Sequence, residues 1–544
     1  MPARRHRRWL LALAVAGLLA QMAVAMLSTA VRQSPTNDEP VYTVTGAYYL
    51  YEHDLRYNPE HPPLGKLLIG VGEVISGARL DPSVTGDQYD VGRHFLYRSG
   101  NDPQRVLLAA RLPVIVLTLA FGLVVFAFAR DLAGTPGGLA ALVLYAFSPT
   151  VIAHGSLATL DVPVAGFLLT AVWLLRRARR RPRLCLPLAG AALGAAVATK
   201  MSALPAVPVL LGLTVVSLRA SGWVRGASRR RRLAVYAAWA AGAAVTVVAV
   251  VWASYLVVDP RLRWTAPADV PAIGGVRGLA VDLLPFPETF RDGMRIQLGF
   301  EDLRWTGFLF GRTYRGSLWY YLPAALLVKT PLGTLALWIA GAAALLAVRR
   351  PRPAAPYVLV PAAVLLAAAM AGDRDLGVRY VIFLPFFLAV AAAGVTLVRW
   401  RRTPVPAGPA AVFALAAFTA VSSLRAHPFY LPYSNEAFGG PAKTHLYLHD
   451  SNADWGQDLV RLAEHLRERY PGEKVWFAYK GEGVPSGHGV HASDPLSVPP
   501  GSVHGLLVVS NSWIAKSDPR VRALIATARP VDQVGHTMTI FRRP

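Results

Sequence analysis

Cysteine is almost absent from this chain of 544 residues. The one cysteine, Cys185, lies inside an apolar run. A single thiol excludes a disulfide within the chain and any metal site built from several cysteines. We therefore expect Cys185 to be a packing residue.

Charged side chains are scarce as well. They make up 16% of the residues, whereas hydrophobic residues make up 54%, and soluble proteins carry about 25% charged residues. Apolar runs long enough to cross a bilayer recur through the first four fifths of the chain. This composition excludes an ordinary soluble protein and predicts a polytopic membrane protein.

Acidic residues are fewer than basic ones, 32 against 56, which gives a formal net charge of +24. In a soluble chain this excess would suggest nucleic-acid binding. Here the arginines form short clusters between apolar runs, namely RRARRRPR (176–183), RGASRRRR (225–232) and RWRRT (399–403). That is the positive-inside pattern of cytoplasmic loops, so we expect a lipid bilayer and no nucleic acid as partner.

A helix needs about 20 residues to cross the bilayer. With this length, the apolar runs of the chain predict about eleven membrane spans. They are 9–31, 106–129, 137–153, 162–175, 184–198, 203–218, 233–257, 332–347, 357–371, 380–397 and 411–424. The stretch WYYLPAALLVKTPL is a candidate re-entrant or interfacial helix. An odd count places the N-terminus inside, the C-terminus outside and the arginine clusters on the cytoplasmic side.

The predicted organisation is an all-α membrane domain, 1–425, with two large external loops, 32–104 and 258–319. A soluble extracytoplasmic α/β domain, 426–544, follows it. In that domain GQDLVRLAEHLRERY has helical periodicity, and KVWFAY, HGLLVVS and HTMTIF have the composition of strands.

This topology places several ionisable residues at the outer face. They are Asp38, Glu39, His61 and Lys66 in the first loop, with His154, Asp161, Lys200, Lys329 and Arg379 at other outer positions. The positive-inside rule does not explain outer cations, and ionisable groups at membrane depth are costly and often functional. The sequence thus predicts an external cavity lined by acids and cations.

Each of these residues also has a structural explanation. Asp38 and Glu39 suit the first turn of a helix capped by the residues before them, and Asp161 suits a cap of its own span. Lys200 and Arg379 are long enough to reach the lipid headgroups. Turn formation and ordinary polar packing are the alternatives for the two histidines, His61 and His154.

The order of the motifs carries more information than any one of them. DEP, HPPLGK, SPTVIAHGSLATLD, ATKMSALP, YYLPAALLVKTPL and LGVRYVIFLPF follow one another along the chain. Over roughly residues 1 to 400 the chain resembles the GT-C fold of polyprenyl-phosphate-sugar-dependent glycosyltransferases. It is most similar to protein O-mannosyltransferases, which carry an Asp-Glu pair and HPPLGK in the first loop.

The lipid A aminoarabinose transferases are also similar, with an acidic first loop, a KPPL-type turn and an external C-terminal domain. Two features differ from these families. The large luminal domain of eukaryotic mannosyltransferases has no counterpart, and His61 replaces the lysine of the KPPL turn. The second difference leaves open which cation meets the donor phosphate.

The resemblance implies inverting transfer of a sugar from a polyprenyl-phosphate donor to an extracytoplasmic hydroxyl, on a protein, a lipid or a cell-wall glycan. It implies that Asp38 is the general base, with Glu39 orienting a cation or the acceptor and Asp161 binding the acceptor. Cations should stabilise the leaving phosphate; the candidates are Arg379, Lys66, Lys200 and His61. A substrate groove is predicted at Tyr320, Tyr321, Lys329 and His154, and an interfacial aromatic belt is the alternative for the tyrosines.

Two other functions fit a polytopic chain. A transporter or lipid flippase would bury charges near the midplane in repeated halves, and this sequence shows no repeat. A membrane anchor for residues 427–544 would leave the outer acids and cations without a role. A divalent metal is compatible with the carboxylates but has no support from ligand spacing.

Overall fold

The computed structural model describes residues 2–224, 226–398 and 407–544. Its α-helices are α1 Pro2–Arg32, α2 Glu39–Tyr51, α3 Pro63–Ser76, α4 Gln88–Tyr97, α5 Pro103–Ala146, α6 Pro149–Gly155, α7 Asp161–Ala178, α8 Pro182–Thr199, α9 Ala206–Ser221, α10 Arg229–Val258, α11 Gly275–Asp282, α12 Glu288–Glu301, α13 Tyr321–Lys329, α14 Leu332–Ala347, α15 Ala355–Met370, α16 Phe383–Ala392, α17 Ala407–Ala426, α18 Leu459–Arg469, α19 Asn511–Lys516 and α20 Pro519–Ala526. Its strands are β1 Thr306–Leu309, β2 Arg312–Arg315, β3 Val475–Ala478, β4 Gly505–Ser510, β5 Arg529–Val534 and β6 Met538–Arg543.

Short 3-10 helices connect several of these elements. They are Met201–Ala203, Arg352–Ala354, Val378–Val381, Ala393–Leu397, Glu436–Phe438, Pro441–Leu446, Asp450–Asn452, Pro485–His488 and Pro500–Ser502.

A helix occupies each of the eleven predicted spans. Among the described residues, six helices have the length and hydropathy of a membrane span: His6–Arg32, Pro103–Ala146, Pro182–Thr199, Arg229–Val258, Arg352–Met370 and Pro409–Ala426. Ala206–Ser221, Leu332–Ala347 and Phe383–Leu397 are shorter apolar helices. The chain is a multi-pass membrane protein, and the count of about eleven stays a prediction. The predicted cytoplasmic cluster at 399–403 lies outside the described residues.

The third predicted span is wrong in its bounds. The expected helix at 137–153 ends at Ala146, and α6 starts a new direction at Pro149, with Ser148 capping it. Proline has no N–H for the preceding helix, which explains the break. Upstream, Gly134 has a φ of +76° inside α5 and separates that helix into two arms.

Apolar side chains remain exposed around the helical body. Leu13, Val116, Val245, Ile339 and Phe413 are examples on five different helices. A soluble protein rarely exposes so many large apolar residues over one continuous surface. Such a surface suits contact with the hydrocarbon core of a bilayer.

The first loop folds into three helices, α2 to α4. Proline stands in the first turn of both α2 and α3, where its missing N–H costs nothing. The Asp87 carboxylate caps α4 by accepting from the Tyr89 amide. Helices α2 and α3 approach closely because Gly46 and Gly70 face each other: a Cβ on Gly70 would lie 2.7 Å from the Gly46 carbonyl oxygen.

The second loop contains α11, α12 and the antiparallel pair β1–β2. Its turn residues Phe310 and Gly311 both have positive φ, 48° and 79°, as a two-residue hairpin turn of type I′ requires. The sequence analysis missed this hairpin, because Phe310 is an uncommon residue at such a position.

The C-terminal sheet has the strand order β3-β4-β6-β5. Strands β3 and β4 are parallel, and the other neighbours are antiparallel. The sequence predicted the helix α18 and three of these four strands. It missed β5, an edge strand that is exposed along most of its length and contains Pro530.

A connecting segment, residues 449–458 (HDSNADWGQD), lies between the helices and the sheet. Its Trp455 is buried in the same apolar core as the membrane helices. The Ser34 and Asn37 amides donate to the Gln457 and Trp455 carbonyl oxygens, each at 3.0 Å. Residues far apart in the chain, after α1 and before α18, are therefore hydrogen-bonded to one another.

Replacing Gly70 by valine should destabilise the protein by about 1–3 kcal/mol, because the side chain would meet the α2 backbone in a packed contact. Thermal unfolding of the detergent-solubilised protein measures this as a lower midpoint. Gly17→Val is the matched control, since a Cβ at Gly17 meets nothing within 4 Å. Equal midpoints for the two variants would contradict the close contact between α2 and α3.

Candidate active site

A cavity of about 1700 Å³ lies where the two loops, the helices α7, α15 and α16, and the connecting segment meet. Charged side chains from separate parts of the chain line it, among them Asp38, Asp161, Lys200 and Arg379. Among the residues that the structure describes, no three His, Cys, Asp or Glu side chains converge as metal ligands do. The central charges are instead arranged as two carboxylate–cation pairs.

Asp38 and Arg379 form the first pair. An Arg379 Nη donates to Asp38 Oδ2 at 2.5 Å, and both side chains are largely buried. The guanidinium carbon lies 4.4 Å from the ring centre of Trp455 and 5.3 Å from that of Tyr380, as in cation–π contacts. Within the described residues, the buried Nε of Arg379 has no hydrogen-bond partner. The guanidinium itself lines the cavity.

The connecting segment positions both members of this pair. Its Asn452 side-chain oxygen accepts from the Val378 amide at 3.0 Å, one residue before Arg379. Its Trp455 carbonyl accepts from the Asn37 amide, one residue before Asp38. Asp38 and Arg379, 341 residues apart, are therefore held by one short piece of chain.

Asp161 and Lys200 form the second pair, with Nζ of Lys200 2.5 Å from Oδ1 of Asp161. Asp161 begins α7, and Lys200 follows the end of α8. Because α7 and α8 are consecutive helices joined by a short turn, these two ends meet. Nζ of Lys200 also lies 5.8 Å from the Tyr380 ring centre, so Tyr380 contacts the cations of both pairs.

Glu39 does not line the cavity, although it is adjacent to Asp38. Its carboxylate is fully buried and accepts from Nε and Nη2 of Arg111 at 2.7 Å, from the Ala158 amide at 2.8 Å, and from the amide and hydroxyl of Thr36. The remaining Arg111 N–H groups donate to the carbonyl oxygens of residues 30, 33 and 34. The pair is therefore completely satisfied and holds the start of α2 against α5.

Sequence reasoning missed Arg111 as the cation that Glu39 orients. The signal was present, because Arg111 interrupts the apolar run VLLAARLPVIV at membrane depth.

Lys66 and His61 separate in the structure. Lys66 is fully buried away from the cavity, and its Nζ donates to the carbonyl oxygens of Asn58 at 2.6 Å and His61 at 2.7 Å. It therefore supports the HPP turn from behind. His61 lines the cavity, and burial together with the charge of Lys200 holds its pKa well below the usual range. His61 is thus a neutral imidazole near pH 7.

The residues predicted for a substrate groove lie elsewhere. Lys329 Nζ donates to the Leu431 and Asn452 carbonyl oxygens at 2.5 Å each, and the Tyr321 hydroxyl accepts from the Asn452 side chain at 2.9 Å. Tyr320 is exposed, and His154 is buried beside Trp455. None of the four lines the large cavity. Lys329 and Tyr321 instead support the connecting segment.

One wall of the cavity is apolar. Leu168 of α7, Leu365 of α15 and Phe383 of α16 belong to it, along with smaller side chains of the same helices. These helices coincide with predicted membrane spans. The cavity therefore joins a charged centre to a surface suited to hydrocarbon.

Replacing Arg111 by methionine should destabilise the protein by about 3–5 kcal/mol, because it leaves the Glu39 carboxylate buried and unpaired. Adding Glu39→Gln to that variant should recover part of the loss, since the uncompensated charge disappears. Chemical unfolding in detergent compares the three proteins. If the single and double variants are equally unstable, charge pairing is not what Arg111 contributes.

The comparisons with known proteins concern the fold and the family that the chain resembles. Residues 15–265 match the family described as dolichyl-phosphate-mannose-protein mannosyltransferase. No curated protein matches the chain.

Among solved structures, ArnT from Cupriavidus metallidurans bound to undecaprenyl phosphate is 15% identical, with a TM-score of 0.50 over 98% of this chain and 97% of that chain. The Saccharomyces cerevisiae Pmt1-Pmt2 complex bound to the sugar donor is 19% identical, covering 46% of this chain and 34% of that chain with a TM-score of 0.36. An Archaeoglobus fulgidus oligosaccharyltransferase is 13% identical, covering 94% and 71%, with a TM-score of 0.44.

The family match and the full-length likeness to ArnT confirm the resemblance on which the sequence analysis relied. They support a membrane glycosyltransferase that uses a lipid carrier. The chain thus has the GT-C fold, and its residues 15–265 match the model of the dolichyl-phosphate-mannose-protein mannosyltransferase family.

Proposed function

We propose that this protein transfers a sugar from a polyprenyl-phosphate donor to an acceptor hydroxyl at the outer face of the cytoplasmic membrane, with inversion at the anomeric carbon. The observation that carries the proposal is the Asp38–Arg379 pair in a cavity with an apolar wall. A carboxylate, a cation and a hydrocarbon-binding surface are the groups this reaction needs.

The donor phosphate is assigned to Arg379. Arg379 lines the cavity, its charge suits a phosphate oxygen, and arginine can bind two such oxygens at once. Lys200, on the same cavity, supplies a second charge. Lys66 is not included, because its Nζ is already bound by oxygens of the first loop. His61 acts here as a neutral hydrogen-bonding group.

The polyprenyl chain is assigned to the apolar wall at Leu168, Leu365 and Phe383. The family description names a dolichyl-phosphate sugar, and the ArnT structure is described as bound to undecaprenyl phosphate. Both are phosphates of long polyprenyl chains. The juxtaposition of charge and hydrocarbon in this cavity fits that class of donor.

In the proposed reaction Asp38 accepts the proton of the acceptor hydroxyl as its oxygen attacks the anomeric carbon. The new carbon–oxygen bond forms while the bond from that carbon to the phosphate oxygen breaks, and the electron pair stays on the phosphate. Arg379 stabilises the charge that develops there. Attack opposite the phosphate gives inversion, and Asp161 orients the acceptor.

The direction of α7 and α8 supports a location of the cavity at the outer face of the membrane. Asp161 and Lys200 stand at the ends of these helices remote from the arginine cluster 176–183. A helix of 18 residues is about 27 Å long, close to the hydrocarbon thickness. Since arginine clusters mark the cytoplasmic side, the cavity belongs on the other side.

Replacing Asp38 by asparagine should lower transfer by about 10²–10⁴-fold, because the base is lost, while undecaprenyl phosphate still binds. Membranes containing each variant are given a panel of polyprenyl-phosphate sugars, and release of the lipid phosphate is measured. Asp81→Asn, in the same loop but off the cavity, is the matched control. Retained turnover would refute the base assignment. If the wild type consumes no lipid-linked sugar, the result favours the alternative that the protein is a transporter or lipid flippase.

Single cysteines test the orientation. In a background without Cys185, a cysteine at the exposed positions Thr85 or Glu468 should react with a membrane-impermeant reagent applied to intact cells. A cysteine at exposed Ser228, in the arginine-rich loop, should react only after the cells are opened. The opposite pattern would place the cavity on the cytoplasmic side.

A further inference from the structure

Two lysines of the C-terminal sheet also line the cavity. Lys480 and Lys516 belong to its lining, together with Asp450 of the connecting segment. Lys480 lies two residues beyond the end of β3, and Lys516 ends α19, the helix after β4. The sequence analysis assigned no role to either lysine.

The sheet topology explains why both lysines reach the same place. Strands β3 and β4 are parallel neighbours, so the connections that follow them leave from one edge of the sheet. The crevice beyond the carboxyl ends of parallel strands is a recurrent ligand-binding position. In this protein that edge opens onto the cavity.

The charges at this edge are not balanced. Lys480 forms an ion pair with Asp450. Within the described parts of the chain, the side chain of Lys516 has neither a hydrogen bond nor an ion pair. Burial, followed by the charge of Lys480, lowers the pKa of Lys516. A second carboxylate near Lys480, Asp454, is fully buried off the cavity lining and accepts from the Gly456 and Ser512 amides. At the cavity surface of this edge two cations therefore face one carboxylate, Asp450, and an anion would pair with the second cation.

The donor phosphate does not account for this excess, because Arg379 and Lys200 already serve it in the proposed reaction. Arg379 lies just before α16, which carries part of the apolar wall, and Lys200 lies at the end of α8. Lys480 and Lys516 lie instead in the segments that follow β3 and β4. A second anionic group would therefore enter from the sheet side, which leaves the acceptor as its source.

We propose that Lys480 and Lys516 form an anion subsite that binds a phosphate or carboxylate group of the acceptor. The acceptor is then a hydroxyl compound that carries an acidic group, rather than a neutral peptide or glycan. This inference rests on the proposed function, since it names the class of the second substrate.

Inorganic phosphate serves as the probe. The full-length protein in detergent is acetylated with an amine reagent over a range of phosphate concentrations at constant ionic strength, and peptide mass spectrometry quantifies each lysine. One arm uses protein saturated with undecaprenyl phosphate. Phosphate should protect Lys480 and Lys516 in that arm too. Lys474, exposed at the other end of β3, should react unchanged as an internal control.

Lys516→Gln should weaken the protection of Lys480 by about tenfold, the loss of one charge-assisted hydrogen bond. Lys516→Arg should keep most of it. Because the Lys516 side chain makes no hydrogen bond or ion pair within the described residues, its replacement should leave the thermal midpoint unchanged, which separates a binding defect from misfolding.

Two results would overturn the proposal. One is that phosphate does not protect Lys480 and Lys516 from acetylation, or that it protects Lys480 equally well after residue 516 is replaced. The other is protection of both lysines by undecaprenyl phosphate alone, which would assign them to the donor. The proposed function fails on a different result, namely that the wild-type protein consumes no lipid-linked sugar. In that case the phosphate titration of protein without undecaprenyl phosphate still measures anion binding at the two lysines.

Discussion

The buried ion pair between Glu39 and Arg111 is the contact on which the candidate site depends. It joins the start of α2 to α5, to the end of α1 and the turn after it, and to the amide that precedes α7 by three residues. A buried pair offsets its desolvation cost only when its remaining donors and acceptors are satisfied, and here every N–H of Arg111 has an acceptor. With Glu39 held in this way, the neighbouring Asp38 is fixed on the opposite side of the chain and faces the cavity.

The connecting segment supplies the second constraint. It hydrogen-bonds to the residues just before Asp38 and just before Arg379, and its Trp455 contacts the guanidinium. Lys329 and Tyr321 bind its Asn452 in turn. These two residues therefore act through the segment, and their distance from the cavity is consistent with a positioning role.

The cavity combines features that a soluble fold rarely provides together. Its charged centre lies between loops, whereas its apolar wall consists of helices that coincide with predicted membrane spans. A substrate with a charged head and a long hydrocarbon chain needs both. The C-terminal sheet adds the edge that carries Lys480 and Lys516, so three separate parts of the chain contribute charge to one space.

The apolar runs, the arginine clusters and the period of α18 were sufficient to predict the membrane class, the helices and most of the sheet, because these features depend on local composition. Local composition was not sufficient for the hairpin at Phe310, the end of α5 at Ala146 or the edge strand β5. The motifs DEP, HPPLGK and LGVRY each contribute a residue to the lining of one cavity, namely Asp38, His61 and Arg379. Only the tertiary structure showed that Asp38 and His61 line the cavity whereas Glu39 and Lys66 do not, because which side chain faces a cavity depends on partners such as Arg111 and Trp455 that lie far away in the sequence.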